Sequence, residues 1–216
     1  MAQFLNVHPT HPQPRLVRRA AEILADGGVI AYPTDSSYAI GCRLGDLDAV
    51  RRIRTLRGID DRHHLTLLCR DLADVGRYAH LDNWQFSILR LAAPGPFTFL
   101  LPASRDVPRQ FRHAKRHTIG VRIPSHPFLR ALLAEHGEPI ISSTLIPPDA
   151  DAALPDADAV RERYEHELDA VVDAGPCGST LTTVVDLSKP PGSVVRSGAG
   201  DAAALGIVSA LPAELG

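Results

Sequence analysis

The stretch Gly27-Gly28-Val29-Ile30-Ala31-Tyr32-Pro33-Thr34-Asp35-Ser36-Ser37-Tyr38 decides the fold class of this 216-residue chain. Before it, Leu16, Val17, Ala20, Ala21, Ile23 and Leu24 recur at helical spacing, which predicts a helix over 15–25 closed by the glycine pair. Val29 to Tyr32 is an unbroken apolar run too short for a helix, so it reads as a strand buried on both faces. Pro33 to Ser37 is a polar turn, and 38–42 is a second short strand. A helix feeding a doubly buried strand is the signature of an α/β layer structure.

The rest of the chain extends this pattern. Asp46 predicts the cap of a helix with Val50, Ile53 and Leu56 on one face, ended by Gly58. A strand follows at 65–69, then helical patterns at 71–79 and 83–91, then a sharp break at Pro94-Gly95-Pro96. Strands are expected at 97–102, 118–123 and 139–144, with a helix at 127–135 between the last two. A charged helix around 158–167 precedes closely spaced strands at 170–173, 183–187 and 193–196. Helices separate most strands but not the last three, which predicts a mixed sheet with helices packed on it, in a single α/β domain.

Composition narrows the class. With 44% hydrophobic and 22% charged residues, the chain is not disordered, collagenous or a disulfide scaffold. No apolar stretch approaches the roughly 20 residues needed to cross a bilayer, and residues 1–14 lack the pattern of a secretory leader. Cys42, Cys69 and Cys177 are odd in number and widely spaced, as reduced thiols in a cytoplasmic protein would be. A cytoplasmic protein with no membrane partner is therefore expected. Only Lys115 and Lys189 among 23 cationic side chains are Lys. Arg suits phosphate recognition, but coding bias in an Ala- and Arg-rich genome is enough to explain the excess.

Charge is unevenly distributed along the chain. Residues 1–130 hold 19 of the cationic and 11 of the acidic side chains, whereas 131–216 hold 4 and 14. The densest basic run is Arg105, Arg109, Arg112, His113, Lys115, Arg116, His117 and Arg122. Either the first part faces an anion, nucleotide or nucleic acid, or two solvated faces pair with each other. Phe111 is the one aromatic in the basic run, so stacking on single-stranded bases has little support.

Several usual nucleotide and hydrolase signatures are missing. There is no P-loop, no Gly-x-Gly-x-x-Gly after a strand, no Gly-x-Ser-x-Gly elbow and no metal-ligand spacing among the ten histidines. Instead hydroxyls and guanidiniums gather at strand ends: Thr34, Thr118, Arg122, Ser142, Ser143, Thr144, Thr182, Thr183 and Arg196. Each hydroxyl alone could be a cap or a backbone partner. Thr118 with Arg122, and Ser142 with Thr144, share strand faces because the side-chain period is two. An arginine fork with paired hydroxyls matches the acceptors of an adenylate phosphate.

The chain from Gly27 to Asp35, with Tyr38 and Gly41-Cys42, resembles the opening of the YrdC-like domain. The likeness continues through Pro94-Gly95-Pro96-Phe97-Thr98, Val121-Arg122-Ile123-Pro124-Ser125-His126-Pro127, Pro139-Ile140-Ile141-Ser142-Ser143 and Thr182-Thr183-Val184-Val185-Asp186. It covers about residues 12–200, leaving 201–216 as a tail. The amino end (Gln3-Phe4 to His8-Pro9), with Arg70-Asp71-Leu72 and Asp82-Asn83, is most similar to the YciO subgroup.

The resemblance implies a twisted open sheet with a positively charged concave face. The activity it implies is that of the threonylcarbamoyl-AMP synthases: threonine, bicarbonate and ATP, with Mg²⁺ accompanying the nucleotide, yield threonylcarbamoyl-AMP and pyrophosphate. That reaction begins a tRNA modification. By the same resemblance Thr34, Arg122, Ser142 and Thr182 would bind the threonine-like substrate, and Arg57, Thr118, Thr144 and Arg196 the nucleotide. No catalytic residue is assigned, and no tightly bound protein-ligated metal is expected. Some members of the family bind double-stranded RNA.

Two departures stand out. Where the synthases carry Lys-x-Arg, this chain has Arg57 and Ile59; where they carry Ser-x-Asn, it has Thr144-Leu145-Ile146, followed by Pro147-Pro148 in place of Ser-Gly. Losing polar contacts of this kind weakens or redirects synthase chemistry, at ~2–4 kcal/mol per critical donor. Three readings follow: a synthase-like nucleotidyltransferase, a non-catalytic RNA-binding module for tRNA or double-stranded RNA using the basic concave face, or a scaffold whose pocket is filled by Ile59 and Ile146.

Overall fold

A computed structural model describes residues 1–60, 63, 65–113 and 115–207. Six helices and ten strands lie among them: β1 Gln3–Asn6, α1 Pro14–Ala25, β2 Ile30–Tyr32, β3 Ala39–Arg43, α2 Leu47–Arg57, β4 Thr66–Leu68, α3 Leu72–Tyr78 and α4 Asn83–Ala92. Then come β5 Phe97–Pro102, β6 Thr118–Arg122, α5 Pro127–His136, β7 Ile140–Thr144, α6 Ala157–Tyr164, β8 Ala170–Asp173, β9 Thr183–Asp186 and β10 Ser193–Arg196. The strands form one sheet in the order β1-β8-β2-β3-β7-β4-β6-β5-β9-β10. It is mixed, as expected: β4 lies parallel to β6 and antiparallel to β7, and β5 parallel to β9 and antiparallel to β6.

Local chemistry accounts for the elements. Asp46 accepts from the Ala49 N–H and starts α2, which ends where Gly58 takes the left-handed conformation. Asp71 and Asp156 cap α3 and α6 in the same way, and Pro14 and Pro127 open α1 and α5 from positions where a missing N–H costs nothing. The sheet begins before residue 12: β1 pairs in parallel with β8 as the edge strand, with Leu5 facing the core. Two short 3-10 helices, Arg109–Phe111 and Ala203–Leu205, were not foreseen from the pattern. Residues 208–216 of the expected tail lie outside the described residues.

The two sheet faces are covered differently, and this creates the site. On one face α2, α3, α4 and α6 bury Ile53, Val75, Leu89 and Val160 against Ile40, Leu67, Phe99, Val121 and Val185. On the other, α1 and α5 bury Leu24 and Phe128 against Ile30, Tyr32, Ile140 and Val172. That second layer covers the β1–β8–β2 side. Beyond it, on β7, β4, β6 and β5 and just before β9, the same face changes from Ile and Val to Ser142, Thr66, Gly120, Thr98 and Thr182. Among the described residues no helix is long and apolar enough to cross a membrane.

Candidate active site

The hydroxyl-bearing half of the sheet is the floor of a cleft of about 570 Å³. Strand register sets its rows. Gly41, Ser142, Thr66, Gly120 and Leu100 lie side by side across β3, β7, β4, β6 and β5. Gly120 leaves the floor bare: a Cβ there would lie 3.3 Å from Thr66 Oγ1 and 3.5 Å from Thr98 Cγ2. Around this floor stand Arg57, His63, Arg116, Arg122 and Arg196, and among the described residues no Asp or Glu lines it.

The walls are fixed by hydrogen bonds. Buried Tyr32 donates to Ser142 Oγ at 2.9 Å, and burial pushes its phenol well above the usual range, so the bond persists at physiological pH. Thr98 and Thr182 share a hydroxyl hydrogen bond of 3.0 Å. Arg196 donates to the Thr182 carbonyl from Nε at 3.2 Å and from Nη2 at 3.0 Å. A bulge between Val194 and Arg196 is the backbone irregularity beside this contact. Arg57 donates through Nη1 to the Ile146 carbonyl and through Nε to Ser143 Oγ at 3.3 Å. Burial lowers the Arg57 and Arg122 pKa values from the ordinary guanidinium range, yet arginine stays charged.

Arg122 is buried at the end of β6. It donates from Nη2 to Asp35 Oδ1, and from Nη1 to Ser36 Oγ at 3.2 Å. Ser125 holds the other Asp35 oxygen at 2.9 Å. Thr34 Oγ1 accepts from the Ser36 and Ser37 N–H groups at 3.0 and 3.1 Å and donates to the Ser37 carbonyl at 2.8 Å. It therefore organises the turn that carries Asp35.

The structure brings Arg57, Arg122, Ser142, Thr144, Thr182 and Arg196 into one cleft. Thr34 is buried beside Arg122, 3.5 Å from its Nη2, but does not line the cleft. Thr118 is buried at the start of β6 and is likewise not a lining residue. Sequence reasoning missed Thr66 and Thr98 as lining residues, although strand alternation could have placed both. It also missed Asp35 and Ser125, for which no local pattern exists. The two isoleucines do not fill the cleft. Ile146 lines it, whereas Ile59 packs against the core on the opposite face.

The Sua5/YciO/YrdC family model, described as telomere recombination, matches residues 22–198. The chain belongs to this family. Uncharacterized protein YciO of Escherichia coli strain K12 is 42% identical over 201 residues, covering 93% of this chain and 98% of that one. The crystal structure of E. coli YciO superposes with a TM-score of 0.92 at 41% identity, over 95% of this chain and all of that one. Threonylcarbamoyl-AMP synthase of Halorhodospira halophila is 34% identical over 169 residues, 78% of this chain and 87% of the synthase. P. abyssi Sua5 complexed with L-threonine matches with a TM-score of 0.83 at 25% identity, over 90% of this chain and 57% of that one.

Proposed function

We infer that this Sua5/YciO/YrdC protein binds ATP beside a threonine-like amino acid, as a threonylcarbamoyl-AMP synthase would, with the synthase step weakened or redirected. One observation carries the reading: a ligand-sized cleft whose lining, among the described residues, holds Arg57, Arg116, Arg122, Arg196 and six hydroxyl side chains, but no carboxylate. Guanidiniums and hydroxyls match phosphate and carboxylate acceptors. Magnesium accompanying the nucleotide would be held there chiefly by the phosphates and water. Arg122, Ser142 and Thr182 are assigned to the amino acid, with Thr34 shaping the turn beside them. Arg57, Thr144 and Arg196 are assigned to the nucleotide; Thr118, buried at the start of β6, does not line the cleft.

Redirection follows from the Arg57 end. Two of its donor nitrogens are committed to Ile146 and Ser143, and the Ile146 side chain presents no polar atom to a ligand. Calorimetry with ATP–Mg, with and without L-threonine, tests the binding. Pyrophosphate release that requires threonine and bicarbonate tests the turnover. Binding without turnover places the protein among redirected members; no ATP binding at all overturns the reading.

RNA is the weaker alternative. Arg57 and Arg122 are buried, so they reach a small ligand entering the cleft but not a duplex backbone lying across it. An RNA affinity that falls steeply with salt would favour that alternative.

A further inference from the structure

The four arginines that line the cleft are not equally committed. Arg57 donates to the Ile146 carbonyl and Ser143, Arg196 to Thr182, and Arg122 to Asp35 and Ser36. Arg116 stands two positions before β6, on a turn in which His113 Nδ1 accepts from the Lys115 and Arg116 N–H groups at 3.3 and 3.1 Å. Its side chain is 61% exposed, and among the described residues its guanidinium has one partner, Asp186, with Nη1 3.7 Å from Oδ2. That separation is too long for a hydrogen bond. Asp186 pairs with Leu100 at the end of the floor row and shares a strand face with Val184, which lines the cleft. Its other oxygen accepts from the Ser188 N–H at 2.8 Å, so Asp186 keeps a donor when Arg116 moves away. A loose, exposed ion pair contributes little and is exchanged at little cost.

We propose that Arg116 reads the phosphate chain: it leaves Asp186 and pairs with the β- and γ-phosphates of a nucleoside triphosphate. A guanidinium fork meets phosphate oxygens bidentately, which its loose contact with one Asp186 oxygen does not achieve. Arg116 and Arg122 lie toward opposite ends of β6, roughly 20 Å apart along the chain at ~3.3 Å per residue. With the amino acid at the Arg122 end, phosphates that lead away from it come within reach of Arg116. A nucleoside monophosphate, with its single phosphate nearer Arg122, gains nothing from Arg116. The inference rests on the nucleotide reading above. It adds a specificity residue outside the positions assigned by resemblance, and a resident carboxylate that the incoming phosphates displace.

The test is calorimetry on the full chain with ATP–Mg and AMP as probes. R116Q, at an exposed position, should weaken ATP–Mg by about tenfold, the scale of one charge-assisted hydrogen bond, and AMP by less than about twofold. R116K keeps the charge without the fork and should recover part of the ATP loss. D186N removes the competing charge but keeps an acceptor for Ser188, and should tighten ATP–Mg by about threefold. In an R116Q background the same D186N change should have no effect on ATP–Mg. Unchanged ATP affinity in R116Q, equal weakening of ATP and AMP, or unchanged ATP affinity in folded D186N overturns the proposal and leaves the nucleotide reading standing. If D186N does not fold, R116Q and R116K carry the test. A wild-type protein that binds no ATP–Mg overturns the nucleotide reading itself, and this proposal with it.

Discussion

Arg57 at the last turn of α2 donates through Nη1 to the backbone carbonyl of Ile146, just past the end of β7. Its Nε reaches Ser143 Oγ on β7 at 3.3 Å. Next to it the left-handed Gly58 approaches Pro148 so closely that a Cβ would lie 2.9 Å from the Pro148 Cβ. The two segments in which this chain departs from the synthase pattern are thus latched to each other across the rim of the cleft. An arginine expected only to bind nucleotide also holds a loop.

Replacing Arg57 should therefore affect stability as well as binding. R57A leaves the Ile146 carbonyl and Ser143 hydroxyl short of a donor, and is expected to cost about 1–3 kcal/mol. Urea denaturation measures that cost, and calorimetry should show weaker ATP binding in the same protein. R57K, which cannot donate from two fixed nitrogens, should recover only part of either loss. Unchanged stability in R57A would show that the latch carries no energy.

The resemblance to the synthases pairs two reversions, Ile59 to Arg and Ile146 to Asn, as steps toward tighter ATP binding. The structure separates them. I146N adds an amide to the cleft and should tighten ATP–Mg binding by about tenfold. Ile59 packs on the helical side of the sheet. I59R should lower stability by about 1 kcal/mol through lost burial and leave ATP affinity unchanged. A gain in affinity from I59R would mean that residue 59 reaches the ligand.

Gly41 should tolerate no side chain. A Cβ there would lie 2.3 Å from the Tyr32 hydroxyl, 2.8 Å from the Ile141 carbonyl and 2.9 Å from Ile140 Cγ2. Tyr32 is fully buried and bonded to Ser142, so it has no room to retreat. G41A is expected to cost about 1–3 kcal/mol by overpacking and to weaken L-threonine binding through displacement of Ser142. Normal threonine affinity in a folded G41A protein would detach the Tyr32–Ser142 bond from the site.

Stability should fall on acidification in two windows. Burial holds the His126 and His136 imidazoles below their ordinary value of 6.5, so the unfolded chain binds protons more readily than the folded one. Their contribution is complete above 6.5 and is lost as pH falls through the lower folded values. Asp74, bonded to Arg70, and Asp46, accepting from the Ala49 N–H, are depressed below 3.8, and their contribution is lost only below that pH. Urea midpoints from pH 8 to 4 should show the first decline, and H126Q with H136Q should flatten it. An undiminished decline in the double variant would assign it to other groups.

The amino-acid order by itself determined most of the layering, because those signals are local. Helical periodicity, Asp46 with Gly58, the glycine pair before Val29 and the Pro94-Gly95-Pro96 break each act within a few residues. It also determined that hydroxyls and arginines would cluster at strand ends, and, through resemblance, which family to expect. It did not announce β1, whose parallel partner Ala170–Asp173 lies near the far end of the chain. Pairing at such separation leaves no periodic trace in four residues. Nor did it show that Ile59 and Ile146, two positions of one chemical type, face opposite sides of the sheet. Only the tertiary structure decided that Arg57 spends its donors on a loop and that Arg122 is met by Asp35 and Ser125. The reason is physical: a guanidinium's charge is written in the sequence, but the acceptors that use it are set by strand register and by how far each helix layer extends over the sheet.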